Sequence, residues 1–249
     1  MYALISGQQL YFQKTGTGKP LIMLHGWGQN VSSFWPLVGL LKNDFTLYLI
    51  DLPGFGRSES PKKTFGVSDY AEIIHAFIKD QKIEKPILLG HSLGGRIAIK
   101  LAADNHLIIE KLILEGSAGI TRVSSPLKNV SLFLAKIFKY TVPNIFNLKT
   151  KLRYKVYKKL ESDYLDVLEM KETFKKLLSE DLSNDLLRIS IDSLLLWGEK
   201  DRAVPLSDAK RMYQQIDKAK LVIFEDIGHF PHLENPKLFS YYVKDFSLN

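Results

Sequence analysis

The 249-residue chain contains no cysteine. This absence excludes a disulfide framework, a zinc site built from cysteine ligands and a thiol nucleophile. No run of about 18 apolar residues occurs, so the sequence predicts no membrane-spanning helix. Residues 1–18 also lack the charged start and long apolar stretch of a signal peptide. We therefore expect a cytoplasmic protein with one large domain, or one domain that carries an insertion.

Acidic residues are missing from one long segment. The chain has a formal net charge of +7, and residues 122–159 contain ten Lys or Arg and no Asp or Glu. These ten charges exceed the net charge of the whole chain, so the basicity is local. A solvated surface is the favoured interpretation. The alternative is weak contact with an anionic surface or attraction of an anionic substrate, and no nucleic-acid partner is expected because no recognised motif for one is present.

Short apolar runs alternate with helical patterns over most of the chain. Near-continuous apolar strands separated by helices are typical of a mostly parallel sheet with helices on both faces, and this pattern predicts an α/β fold. Ser68 is expected to cap the helix that follows it, because apolar residues recur there at helical spacing. Two short strands at the start of the chain are expected to turn at Ser6-Gly7. The remaining predicted strands lie within residues 20–26, 45–54, 86–90, 111–119, 192–201 and 220–229.

The alternation of strands and helices stops between residues 120 and 189. This segment has helical patterns rich in Lys, Leu and aromatic residues, without a convincing strand. Sheet strands are predicted on both sides of it. We therefore interpret 120–189 as a helical insertion mounted on a core that consists of residues 1–119 and 190–249.

Three glycines surround one serine in the sequence GHSLGG (90–95). Gly90 and Gly94 lie two residues before and after Ser92 and let the predicted strand and helix approach closely, so the turn at Ser92 is sharp. This pattern indicates a nucleophile elbow. The backbone N–H of Leu93, at the start of the helix, is then placed to stabilise an oxyanion. A glycine-rich turn that only happens to contain serine is the alternative.

A serine hydroxyl needs a base, and the base needs an orienting carboxylate. His229 follows the last apolar run and Asp201 follows the run before it. Both residues therefore fall at the C-terminal ends of predicted strands, where parallel sheets build their sites. The order Ser, Asp, His along the chain is the order that the elbow fold uses. His232 is a competing base, and Glu115, which also ends a predicted strand, is a competing acid.

Five motifs spread along the chain resemble those of the α/β-hydrolase superfamily. This resemblance implies that Ser92 is the nucleophile, Asp201 the acid and His229 the base. It also implies that the backbone N–H of Trp27 is the second oxyanion donor beside that of Leu93. The motifs are LHGWGQN (24–30), DLPGFGRS (51–58), GHSLGGRIA (90–98), LLLWGEKDRAVP (194–205) and IGHFPHLENP (227–236).

The same resemblance implies further properties of the chain. The insertion at 120–189 corresponds to the helical cap that shapes the substrate pocket. His25 is expected to stabilise its own loop and not to transfer protons. Serine at the elbow, where dehalogenases and epoxide hydrolases carry aspartate, argues against those two chemistries.

Together the motifs predict an esterase-like serine hydrolase that cleaves small or medium carboxylic esters through an acyl-enzyme. This mechanism requires no metal and no organic cofactor. A carbon–carbon bond hydrolase of vinylogous diketones and a cofactor-free perhydrolase are alternatives on the same scaffold. A ligand-binding protein that keeps the fold without catalysis is an alternative of another class.

Overall fold

The computed structural model describes residues 1–120 and 170–249. These residues form one eight-stranded sheet, and its strands are β1 (Tyr2–Ile5), β2 (Gln8–Thr15), β3 (Lys19–Leu24), β4 (Phe45–Ile50), β5 (Ile87–His91), β6 (Lys111–Glu115), β7 (Ser193–Gly198) and β8 (Ala219–Phe224). The order across the sheet is β1-β2-β4-β3-β5-β6-β7-β8. The pairs β1–β2 and β2–β4 are antiparallel, and all other pairs are parallel.

Helices cover both faces of this sheet. The α-helices among the described residues are α1 (Trp35–Leu41), α2 (Val67–Asp80), α3 (Leu93–Asp104), α4 (Lys171–Ser179), α5 (Ser183–Leu186), α6 (Leu206–Gln215), α7 (Pro231–Glu234) and α8 (Pro236–Leu248). One core cluster packs α2 to α6 against the sheet, and a second packs α1 and α8 against the opposite face. The predicted α/β fold is confirmed. None of the described helices is long and apolar enough to cross a membrane.

The strands predicted from apolar runs are all present. Six of them became β3 to β8. The inner strands β3 to β7 are apolar along most of their length because both of their faces are buried, whereas β8 is an edge strand with only Phe224 fully buried. The turn between β1 and β2 falls at Ser6 and Gly7, whose φ values of 50° and 77° fit a tight hairpin turn. The hairpin predicted at the start of the chain is thereby confirmed.

The prediction that Ser68 caps α2 is wrong. The helix already begins at Val67, with Gly66 at the capping position. The side chain of Asp69, three residues after Gly66, accepts the Gly66 N–H at 2.7 Å, and Glu180 accepts the Val67 N–H at 2.9 Å. A carboxylate at the third helical position can reach back to the first donors, so no hydroxyl cap is needed.

Most of the predicted insertion lies outside the described residues, and so does the whole basic segment 122–159. Its described part contains α4 and α5 and no strand. The chain returns to the sheet at β7. The boundaries of the insertion stay a prediction.

The sheet order places a topological switch point at β3. This strand pairs with β4 on one side and with β5 on the other. In open parallel sheets, ligands bind beyond the carboxyl ends of the strands at such a point. The residues that follow or end β3, β5, β6, β7 and β8 include His25, Ser92, Glu115, Asp201 and His229. These five candidate residues therefore all lie at the carboxyl ends of the parallel strands, which form one edge of the sheet.

Candidate active site

Ser92 is the single residue between β5 and α3. Its backbone has φ 51° and ψ −106°, a strained conformation for a residue with a side chain. A Cβ on Gly90 would overlap the backbone of Gly94, and a Cβ on Gly94 would overlap the carbonyl group of Leu24. Only glycine fits at both positions. The local geometry is therefore that of the sharp strand-to-helix turn predicted from the sequence.

The structure brings His229 and Asp201 together. His229 Nδ1 lies 2.7 Å from Asp201 Oδ2, and both side chains are buried. The other oxygen, Asp201 Oδ1, accepts the backbone N–H groups of Ala203 at 2.8 Å and Val204 at 2.9 Å. These two donors fix the carboxylate in the loop that follows β7. The carboxylate in turn orients the imidazole with its proton on Nδ1, so Nε2 carries a lone pair.

A close approach to this pair explains one glycine that sequence reasoning missed. Gly116 follows β6 with φ +50°. A Cβ at this position would lie 3.0 Å from His229 Nδ1 and 3.3 Å from Asp201 Oδ2. The backbone carbonyl oxygen of Glu115, the residue before it, accepts the backbone N–H of Ser92 at 3.0 Å. The segment Glu115–Gly116 thus contacts both the main chain of Ser92 and the His229–Asp201 pair.

The described residues contain no hydrogen bond between the Ser92 hydroxyl and His229. Hydrogen bonds of this kind are often long without substrate and shorten in the reacting complex. The main-chain contact of Ser92 to Glu115 and the contact of Gly116 with His229 place the two residues in one neighbourhood.

Two backbone N–H groups near the elbow, those of Leu93 and Trp27, have no hydrogen-bond partner among the described residues. Leu93 is the first residue of α3, and Trp27 lies in the loop after β3. The Gly94 N–H donates to the carbonyl of His25 at 3.1 Å, which holds the start of α3 against that loop. The N–H groups of Leu93 and Trp27 are the donors that the sequence analysis expected to bind an oxyanion.

His25 ties the loop after β3 to the loop after β4. Its Nε2 accepts the Leu52 N–H at 3.0 Å, and its Nδ1 lies 2.8 Å from the carbonyl oxygen of Gly26. Burial lowers the pKa of His25, although the nearby Asp51 opposes this effect. The neutral ring with its proton on Nδ1 satisfies both contacts. This geometry fits the expected role in stabilising the loop.

The two competing candidates pair with each other. Glu115 Oε1 lies 2.7 Å from His232 Nδ1, and both side chains are fully buried. The structure therefore holds two carboxylate–imidazole pairs at the same edge of the sheet. Glu115 makes no hydrogen bond to His229 within the described residues.

An aromatic cluster lies beside the loop after β3. The Trp27 ring centroid is 4.9 Å from that of Phe55 and 4.6 Å from that of Phe174 on α4. Trp27 is only 4% exposed. No local sequence pattern predicts this cluster, because Phe174 is far from the other two residues along the chain. It forms an apolar wall next to the Trp27 backbone.

Comparison with known proteins establishes the family. The model of the alpha/beta hydrolase family matches residues 21–240, and the chain belongs to this family. A pimeloyl-[acyl-carrier protein] methyl ester esterase from Proteus mirabilis (strain HI4320) is 30% identical over 249 residues, which cover 93% of this chain and 94% of the relative.

Two solved structures share the fold. An esterase from Exiguobacterium antarcticum has a TM-score of 0.85 and 24% identity, with 100% of this chain and 99% of that chain covered. A meta-cleavage product hydrolase from Pseudomonas fluorescens IP01 has a TM-score of 0.75 and 22% identity, with 99% and 96% covered. At these identities the likeness shows the fold alone.

Proposed function

We propose that the protein is a serine hydrolase that cleaves small or medium carboxylic esters. The observation that carries the proposal is the buried His229–Asp201 pair at the same sheet edge as the strained elbow serine Ser92. A buried imidazole with a fixed tautomer, a serine on a strained strand-to-helix turn and two backbone N–H donors without a partner among the described residues are the parts that acyl transfer requires.

In this mechanism the Ser92 hydroxyl attacks the ester carbonyl while His229 Nε2 takes its proton. Asp201 holds the tautomer and stabilises the imidazolium that forms. The N–H groups of Leu93 and Trp27 bind the oxyanion of the tetrahedral intermediate. His229 then gives the proton to the departing alcohol, and an acyl-enzyme remains. Water repeats the sequence on the acyl-enzyme and releases the acid. No step requires a metal or an organic cofactor.

One observation favours an apolar acyl group, and a second favours an ester. The wall formed by Trp27, Phe55 and Phe174 adjoins the proposed oxyanion donor, so it lies near the acyl chain of a bound ester. The relative from Proteus mirabilis is named as a methyl ester esterase. We further propose that residues 120–189 form the cap over this pocket.

The proposal is tested with nitrophenyl esters of graded acyl length. We expect turnover by the wild type, and a loss of at least about 10⁴-fold in Ser92→Ala without loss of fold. A fluorophosphonate probe should label the wild type at Ser92 and leave Ser92→Ala unlabelled. Turnover by folded Ser92→Ala at the wild-type rate would contradict the assignment.

The alternatives on this scaffold give different results in the same experiment. A carbon–carbon hydrolase would turn over a vinylogous diketone faster than any ester in the panel. A perhydrolase would form a peracid from a carboxylic acid and hydrogen peroxide. A protein that only binds ligands would neither turn over the esters nor react with the probe.

A further inference from the structure

The Glu115–His232 pair lies outside the proposed mechanism and is fully buried. Glu115 Oε1 accepts two hydrogen bonds from His232, one from Nδ1 at 2.7 Å and one from the backbone N–H at 2.9 Å. Glu115 ends β6, and His232 is the second residue of α7. The pair therefore fixes the start of α7, only three residues beyond His229, to the sheet.

Core stability alone does not account for this pair. Neither Glu115 Oε2 nor His232 Nε2 has a hydrogen-bond partner among the described residues. A buried polar pair that is only partly satisfied contributes little to stability, and apolar replacement of both members is often neutral or stabilising. Its contribution must therefore be sought in where it places the neighbouring chain.

His91 also contacts the segment that contains His229 and His232. Its ring centroid lies 4.8 Å from that of His229 and 5.1 Å from that of His232. Burial lowers the pKa of His91 well below its usual value, and the two neighbouring imidazoles lower it further. A neutral ring has one N–H. We place it on Nε2, 3.0 Å from the carbonyl oxygen of His229, which can only accept.

The opposite nitrogen of His91 faces the oxyanion loop. His91 Nδ1 lies 3.1 Å from Gln29 Oε1, and the same oxygen accepts the Gly26 N–H at 2.9 Å. With the proton on Nε2, Nδ1 has no hydrogen to donate, so it makes a packing contact with this oxygen and not a hydrogen bond. His91 therefore hydrogen-bonds the main chain of His229 and packs against the side chain that accepts the Gly26 N–H, beside Trp27. Glu115 then holds the chain again at His232.

We propose that Glu115 and His232 are positioning residues that, together with His91, hold the main chain of His229 at a fixed place relative to the elbow and the oxyanion loop. This inference rests on the proposed function, because it concerns the base of that reaction. Small displacements of a base reduce the rate of the chemical step far more than they reduce ground-state binding. The pair should therefore affect kcat and leave KM and stability nearly unchanged.

The main test replaces both members with apolar residues of similar size, in the double variant Glu115→Met/His232→Leu. No buried charge is left unpaired, so we expect a melting temperature equal to or above that of the wild type. We expect kcat for the best nitrophenyl ester to fall about 10- to 100-fold, the range found when the outer hydrogen-bond partners of metal-bound histidines are removed. KM should change by less than about twofold.

Three further variants control this test. His232→Asn keeps a hydrogen-bond donor at the place of Nδ1 and should retain most of the wild-type kcat. Ser240→Ala removes a buried hydroxyl on α8 that has no partner among the described residues, and it should change neither kcat nor stability. If the double variant does not fold, Glu115→Gln/His232→Leu, which leaves no buried charge unpaired, is compared with His232→Asn, and the same difference in kcat is expected.

Hydrogen exchange provides a readout that does not depend on substrate. Peptides that cover 225–235 should exchange faster in the double variant than in the wild type, while peptides from α2, which packs in the other core cluster, should not change. Wild-type kcat together with unchanged exchange would overturn the inference, and so would a loss of kcat that only follows a loss of folded protein. Absence of any ester turnover or probe labelling in the wild type would instead refute the proposed function, and the exchange experiment would still decide the positioning role.

Discussion

The two carboxylate–imidazole pairs at the sheet edge have the same core geometry and different surroundings. In each pair, Nδ1 of the histidine lies 2.7 Å from a carboxylate oxygen. Asp201 uses both oxygens, because its second oxygen accepts two backbone N–H groups from its own loop. Glu115 uses one oxygen for two bonds to His232 and leaves the other without a partner among the described residues.

The imidazoles differ even more than the carboxylates. His229 lies in the loop after β8 and approaches Gly116, a residue without a side chain. His232 belongs to a helix, and its ring lies 5.2 Å from Phe34 and 6.2 Å from Phe239. A carboxylate–imidazole pair is therefore not in itself a general base. Its neighbours decide whether the second nitrogen can reach a substrate, and this difference makes the two pairs separable by mutation.

The largest expected difference is between Asp201→Asn and Glu115→Gln. Asp201→Asn should lower kcat by about 10⁴-fold, because the wrong tautomer of His229 is then favoured. Glu115→Gln keeps an oxygen that accepts both bonds from His232 and should lower kcat by no more than about tenfold. The measurement is kcat on one nitrophenyl ester for both folded variants.

The reverse outcome would exchange the roles of the two pairs. If Glu115→Gln removed activity and Asp201→Asn did not, Glu115 would be the acid of the reaction. Equal losses in both variants would contradict a division into a reacting pair and a positioning pair.

The sequence predicts those features of the site that depend on short stretches of the chain. Glycine spacing around Ser92 and apolar runs that are followed by Asp201 and His229 need only short stretches to be recognised, so the sequence predicts the sharp turn at Ser92 and the strands that precede Asp201 and His229. The contact of Glu115 with His232 joins positions 117 residues apart. It depends on how α7 packs over β6, which no local pattern encodes.

The errors have the same physical origin. The prediction that Ser68 caps α2 failed because Asp69 and the distant Glu180 supply the acceptors for the first N–H groups. The contacts of the His91 ring with the rings of His229 and His232 likewise appear only when β5, the His229 loop and α7 are assembled. Composition and periodicity predict elements, and contacts between distant elements decide the details of the site.

A smaller effect is expected on the pH dependence of stability. Burial holds the pKa of His91 below the value of about 6.5 that an unfolded chain gives it. Below about pH 6.5 the unfolded state therefore binds more protons than the folded state. The stability present above that pH is lost as the pH falls toward the folded pKa. The loss for one such group is at most about 1.4 kcal/mol per pH unit.

Urea unfolding between pH 6.5 and 5.5 tests this expectation. His91→Gln keeps an N–H donor near the carbonyl of His229 and cannot titrate, so its free energy of unfolding should depend less on pH than that of the wild type. His75→Gln is the matched control, because His75 is partly exposed on α2 and should change the slope less. An unchanged slope in His91→Gln would show that His91 does not stay neutral in the folded protein.

The smallest effect is expected for salt. Residues 122–159 carry ten basic residues and no acidic residue. Attraction between exposed charges acts over about 10 Å at 0.1 M salt and weakens as salt rises. A solvated surface predicts that kcat/KM for a neutral ester and for an anionic ester of similar size respond alike to salt, within about twofold. A selective loss for the anionic ester at high salt, or sedimentation with anionic vesicles at low salt, would contradict this interpretation and assign the basic segment an anionic partner.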